Sequence, residues 1–168
     1  MPSAELIARR GARLLTLVFL GCVAALGVAL YLQHVTHLDP CPWCVVQRIL
    51  FVLIGLIALA GALHRPRAFG LTAYAIVIGL LSMSGIAAAT YHINLQSNPA
   101  RAAQCAGSIV ERLLDLSGLG NMIPPLFQYD GPCTLKPWSM LGLSIPEWSL
   151  VGFVLILIAM AVALLRRR

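Results

Sequence analysis

Four apolar stretches constrain this chain more than any other feature: Leu14 to Leu32, Val45 to Leu63, Leu71 to Thr90 and Ile145 to Leu165. Crossing ~30 Å of hydrocarbon at ~1.5 Å per residue takes about 20 mostly apolar residues in a helix. Each stretch meets that requirement, so the expected fold is all-α: an integral membrane four-helix bundle, one membrane domain over residues 1–168. Two outer loops follow, about 33–44 and 91–144. The composition agrees, since 60% hydrophobic and 11% charged residues are too apolar and too charge-poor for a soluble domain of this size. The first stretch reads as a retained span rather than a cleavable signal, because it runs into Tyr31-Leu32-Gln33-His34 with no small-residue cleavage motif.

The net charge of +6 does not point to nucleic acid, because the basic residues alternate between membrane faces. Arg9, Arg10, Arg13, Arg65, Arg67 and Arg166 to Arg168 fall on one side with a single acid, Glu5. Arg48, Arg101, Arg112 and Lys136 fall on the other with the remaining acids. An excess of Lys and Arg at span ends marks the cytoplasmic face, which places both termini in the cytoplasm. The basic C-terminal tail is then a topology anchor.

On that topology Cys41 and Cys44 close the short outer loop, Cys105 and Cys133 lie in the long one, and all four face a compartment where disulfides persist. Cys22 falls within the first span, where a free cysteine behaves as a small hydrophobe. Small residues recur in the spans, among them Gly21, Gly27, Gly79 and Gly85, and they let helices approach closely in lipid. In the long loop, Ser108-Ile-Val-Glu111 has capping-box spacing and is followed by Val110, Leu113, Leu114 and Leu116, which suits a short amphipathic helix on the membrane surface. Pro124-Pro125 and Gly131-Pro132 mark the rest as turn-forming and mobile.

Cys41-Pro42-Trp43-Cys44 can close a small, reactive disulfide ring, and Cys44 sits near a helix start, where the dipole and unpaired N–H groups favour a thiolate. Arg48, at i+4, shares the face of Cys44. It reads either as an interfacial anchor or as a group that stabilises Cys44 and hydrogen-bonds a quinone carbonyl gaining charge. Cys105 and Cys133 stand 27 residues apart, so a bridge between them can be structural, worth about 3 to 4 kcal/mol in loop-closure entropy. No metal site is expected, because zinc would need all four thiolates gathered across two loops. Covalent haem attachment fails at Val45, where C-x-x-C-H needs histidine. His34, His37 and His92 read as interfacial polar residues, with His92 also a candidate proton carrier for quinone reduction. Trp43, Trp138 and Trp148 suit the interfacial aromatic belt, and Trp43 can also shield the redox pair.

These residues resemble the DsbB family, the disulfide bond formation protein B of bacterial inner membranes. The resemblance covers most of the chain and rests on Tyr31-Leu-Gln-His34, Asp39-Pro-Cys-Pro-Trp-Cys44, Gln47-Arg48, Tyr91-His92 with Leu95-Gln96, the outer pair Cys105 and Cys133, and Gly142-Leu-Ser-Ile-Pro-Glu-Trp148. The chain departs from it at Gln47, where a glutamate can precede the arginine. The resemblance implies a periplasmic thioredoxin-like oxidase, DsbA, whose thiolate attacks a Cys105–Cys133 disulfide to form a mixed disulfide with Cys105. Electrons would then pass to Cys41–Cys44, and from Cys44 to ubiquinone, or menaquinone, held near Arg48 and His92. That route is established as what keeps the bacterial periplasm oxidising.

Two other readings compete. A non-enzymatic four-span scaffold would carry two static disulfides, against which a strained, exposed C-x-x-C ring makes a poor staple. A transporter with a midplane site lacks the expected sign, a charged residue deep within a span.

Overall fold

The structure is a computed structural model that describes residues 4–66, 68–98, 100, 109–134 and 138–165. Four long helices dominate it: α1 (Ala4–His34), α2 (Pro42–His64), α3 (Ala68–Ser97) and α7 (Ile145–Leu165). Each contains an apolar segment long enough to span a membrane: Ala8–His34, Pro42–His64, Phe69–Ser97 and Ile145–Leu165. The all-α four-helix membrane bundle expected from the apolar pattern is therefore the fold observed. Between α3 and α7 lie three short helices, α4 (Ile109–Ser117), α5 (Leu119–Met122) and α6 (Pro124–Phe127), and a hairpin of β1 (Ser139–Met140) and β2 (Leu143–Ser144). The capping position expected at Ser108 lies outside the described residues.

Helix packing follows the spacing of the apolar side chains. Leu15, Val18 and Cys22 recur at intervals of three and four on α1 and meet Phe51, Ile54 and Ala58 of α2 in one buried cluster. Leu71, Ala75, Ile78, Ser82, Ala89, His92 and Leu95 trace the same kind of seam along α3, all of them buried. Phe51 and Phe153 stack across the bundle, ring centroids 4.2 Å apart, and a methyl group at Gly85 would come within 2.5 Å of the Phe153 ring. Gly85 thus lets α3 approach α7, as small residues do in lipid, whereas Gly21 and Gly27 face open space and contribute no such contact. Leu17, Leu20, Leu56, Leu80 and Leu155 point outward, as a lipid-facing surface requires.

Helix ends are set by local chemistry. Arg65 adopts the left-handed conformation at φ 47° and returns its N–H to the Gly61 carbonyl, which stops α2 before Pro66. The helix α3 runs on to Ser97, past the expected span end at Thr90. At the start of α7, Glu147 accepts hydrogen bonds from the Ser144 N–H at 2.5 Å and the Ser144 hydroxyl at 2.6 Å. That is the reach-back half of a capping box. The hairpin turns at Leu141 and Gly142, both at positive φ, and Ser139 pairs with Ser144.

Candidate functional site

The site forms where the α1–α2 loop, the start of α2, the end of α3 and the Asp130–Cys133 segment converge. Cys41 is the N-cap of α2, in extended conformation, and Pro42 follows at the first helical position, where its missing N–H costs nothing. The Cys41 carbonyl accepts the Cys44 and Val45 N–H groups, which fixes Cys44 in the first turn. The two sulfurs are 3.2 Å apart, both free thiols, with Cys41 donating to Cys44. That hydrogen bond, together with burial, holds the Cys41 thiol well above the ordinary thiol range.

His92 reaches the pair from α3. The inward seam continues past the apolar stretch, so the imidazole is carried to the core rather than to the interface. Its Nε2 lies 3.5 Å from Cys41 Sγ, and Gln47 Nε2 lies 3.3 Å from its Nδ1. The Cys133 backbone lies beside the same ring. Cys41, Gln47, His92 and Cys133 are each no more than 3% exposed. Trp43 packs against Tyr91, ring centroids 4.6 Å apart and planes tilted by 44°, and lies beside the pair.

Cys133 is disulfide-bonded and packs with Cys41 and Leu95 in one buried cluster. Cys105 lies outside the described residues. The Asp130 and Gly131 N–H groups both bond the Pro40 carbonyl, and a side chain at Gly131 would collide with the Asp39 carbonyl at 2.1 Å. Only glycine lets the two backbones meet so closely. The segment expected to be mobile is, at Gly131-Pro132-Cys133, docked on the short loop.

Arg48 is 7% exposed and does not snorkel. Its guanidinium donates to the Gln33 side-chain oxygen at 2.5 Å, to the Leu126 carbonyl at 3.1 Å and to the Ala29 carbonyl at 3.3 Å. It therefore ties α2 to the end of α1 and to α6. Beside it opens a cavity of about 330 Å³ between α1, α2 and α7, walled largely by apolar side chains. Cys44, Gln47, Arg48 and His92 supply much of its polar lining, and Trp138, Trp148 and Met140 close the hairpin side. The Trp148 indole N–H bonds the Met140 carbonyl at 3.1 Å. Of the other histidines, His34 lies at the Pro125 carbonyl and His37 is exposed; neither joins the site. Cys22 is buried in the apolar core.

Spacing brought Arg48 to Cys44 and the family resemblance brought His92 to them, but sequence reasoning gave no role to Gln47 and read Trp138 and Trp148 as aromatic-belt residues rather than as a cavity wall. Gln47 carried a signal: an uncharged polar residue one turn inside an apolar span needs a partner.

Comparisons with known proteins give the family of the chain. A family model described as "Disulfide bond formation protein DsbB" matches residues 11–163. The chain is similar to Disulfide bond formation protein B of Hahella chejuensis, 40% identical over 151 residues, covering 90% of this chain and 92% of that protein. It is similar also to Disulfide bond formation protein B 1 of Pseudomonas aeruginosa, 39% identical over 155 residues, covering 92% of this chain and 95% of that protein. To Disulfide bond formation protein B of Burkholderia pseudomallei it is 37% identical over 168 residues, covering 100% of this chain and 98% of that protein. This chain belongs to the DsbB family.

Proposed function

We propose that the chain is a thiol:quinone oxidoreductase of the bacterial inner membrane that sustains disulfide bond formation. Both termini are cytoplasmic on this reading, and the Cys41 end of the bundle is periplasmic, in line with the eight Lys and Arg residues against four. The observation that carries the proposal is the position of the Cys41–Cys44 dithiol, between Cys133 on one side and the 330 Å³ cavity on the other.

Each pair then has its own substrate. A reduced thioredoxin-like oxidase of the DsbA kind attacks the Cys105–Cys133 disulfide, forms a mixed disulfide with Cys105 and leaves oxidised. The released outer dithiol reduces the Cys41–Cys44 disulfide by a second exchange, for which the packing of Cys133 on Cys41 supplies the contact. A quinone, ubiquinone or menaquinone, supplies the sink for two electrons and two protons, and reoxidises the inner pair.

The cavity suits a quinone ring: it is apolar, within the usual range for small molecules, and has a few converging polar groups. Arg48 and His92 would hold the ring against Cys44, with Arg48 offering a fixed positive charge where oxygen gains electron density. Gln47 orients the His92 ring. Steady-state quinone loss with a reduced thioredoxin-like partner tests the relay in detergent. Turnover should vanish in Cys44→Ser and in Cys105→Ser. Quinone that stays oxidised while the wild-type disulfides resist the partner favours the static scaffold instead.

A further inference from the structure

Zinc need not gather four thiolates across two loops here, because the fold offers a different donor set. Cys41 Sγ, Cys44 Sγ and a ring nitrogen of His92 all lie within 4.8 Å of one another. Two of these separations are 3.2 Å between the sulfurs and 3.5 Å from Cys41 Sγ to the imidazole. Tetrahedral zinc, with Zn–S of about 2.3 Å and Zn–N of about 2.0 Å, sets its donors roughly 3.5 to 3.8 Å apart. Closing on a cation asks the sulfurs to part by about half an ångström and Cys44 Sγ and the imidazole, within 4.8 Å of each other, to come into the same range.

The surroundings favour ligation as well. A metal-bound imidazole ordinarily has its other ring nitrogen held by a second partner, and Gln47 and the Cys133 backbone stand around the His92 ring. With the Gln47 amide oxygen turned toward an Nδ1–H, Nε2 keeps its lone pair toward the sulfurs; both amide orientations fill the same space. The donor set has no carboxylate, and two thiols with one imidazole select soft or borderline cations over magnesium or calcium. The adjoining cavity leaves a fourth position open, as in a three-ligand site.

We propose that the reduced form of this pair binds a thiophilic divalent cation of the zinc class through Cys41, Cys44 and His92, and that binding holds the enzyme in its dithiol state. Ligation takes one cation and releases the two thiol protons; no electron moves, and both sulfurs remain reduced. Disulfide formation must wait until the cation leaves. The oxidised pair offers no such site, because each sulfur is already bonded to the other. The inference rests on the geometry of three side chains and not on the quinone reading, so a chain that takes up zinc but reduces no quinone keeps the first and loses the second.

The test uses full-length protein in detergent, reduced with a phosphine that is then removed, and titrated with zinc in competition with a colorimetric chelator. The expected result is one zinc per chain at a Kd below about 1 μM. Binding should weaken at least about tenfold in His92→Gln, disappear in Cys44→Ser, and be absent from the same wild-type protein once reoxidised. Alkylation of Cys41 and Cys44, read by peptide mass, should slow with zinc and recover with chelator, a readout that needs no variant. Zinc uptake that survives Cys44→Ser or reoxidation overturns the site, as does a reduced protein that takes up no zinc.

Discussion

Around Phe153 the bundle is filled side chain to side chain: Phe51 stacks on its ring, Gly85 leaves just the space it needs, and Ile54, Ile78 and Ile156 complete the cluster. One helical turn closer to Cys41, the same helices hold Arg48, Gln47 and His92 around a cavity. Phe51 stands at the boundary, stacked on Phe153 and lining the cavity. Polar groups buried in an apolar bundle cost stability unless every one is satisfied. The contrast teaches that one half of the bundle holds the helices together and the other is held by it.

Substitutions in the two halves should therefore fail in different ways. Cys44→Ser is expected to bring quinone reduction to background while the thermal unfolding midpoint stays within a degree or two of wild type, a split that calorimetry and the quinone assay read together. Phe153→Ala should do the reverse, lowering stability by about 3 kcal/mol through the cavity it opens. Its surviving folded fraction should still turn over; a Phe153→Ala protein that is stable but inactive would erase the boundary drawn at Phe51. Arg48→Ala crosses that boundary. It removes the charge beside the cavity and should raise the KM for quinone at least about tenfold, a loss of about 1.4 kcal/mol, while the KM for the thiol partner changes little.

How much of this could be read in the sequence depends on the range of the interaction. The four spans were legible because hydrophobic length is a local property, and the proximity of Cys44 to Arg48 because i,i+4 spacing is too. Local pattern read His92 as an interfacial residue, and only the family resemblance set it near Arg48, although the three-and-four spacing from Leu71 through Ala89 carries its side chain inward. Hydropathy hid that, since the α3 seam is made of small and polar residues as much as large apolar ones. The Ser144–Glu147 cap has a readable S-x-x-E signature, yet it adjoins a two-residue strand too short to be recognised from pattern. Docking of Gly131 on Pro40, and so of Cys133 on Cys41, joins residues about 90 positions apart through backbone contacts that no residue pattern encodes.

Two smaller effects sharpen the comparison at the outer end. The Cys41 thiol is raised by its hydrogen bond to Cys44 and by burial, so it stays protonated where an ordinary thiol, at about 8.5, begins to ionise. Alkylation of the reduced protein near neutral pH should modify Cys44 first, with Cys41 following only as the pH is raised beyond that range. Equal labelling at neutral pH would contradict the assignment of Cys41 as the donor. The smallest expected change is at Tyr129, whose hydroxyl donates to Asp115 at 2.5 Å and clips α4 to the segment leading to Cys133. Tyr129→Phe should cost about 1 kcal/mol and speed amide exchange in α4, leaving the inner pair untouched.

The central claim is that the Cys41–Cys44 pair alone faces the quinone while the outer pair faces the protein partner. A single-turnover experiment without any partner isolates it: fully reduced protein is mixed with ubiquinone, and quinone loss and disulfide formation are followed together. The account predicts one quinone reduced per chain, with a Cys41–Cys44 disulfide formed, in a Cys105→Ser/Cys133→Ser variant, and no quinone reduced in Cys44→Ser. Quinone reduction that needs Cys105 or Cys133 when no partner is present, or that proceeds without Cys44, would contradict it.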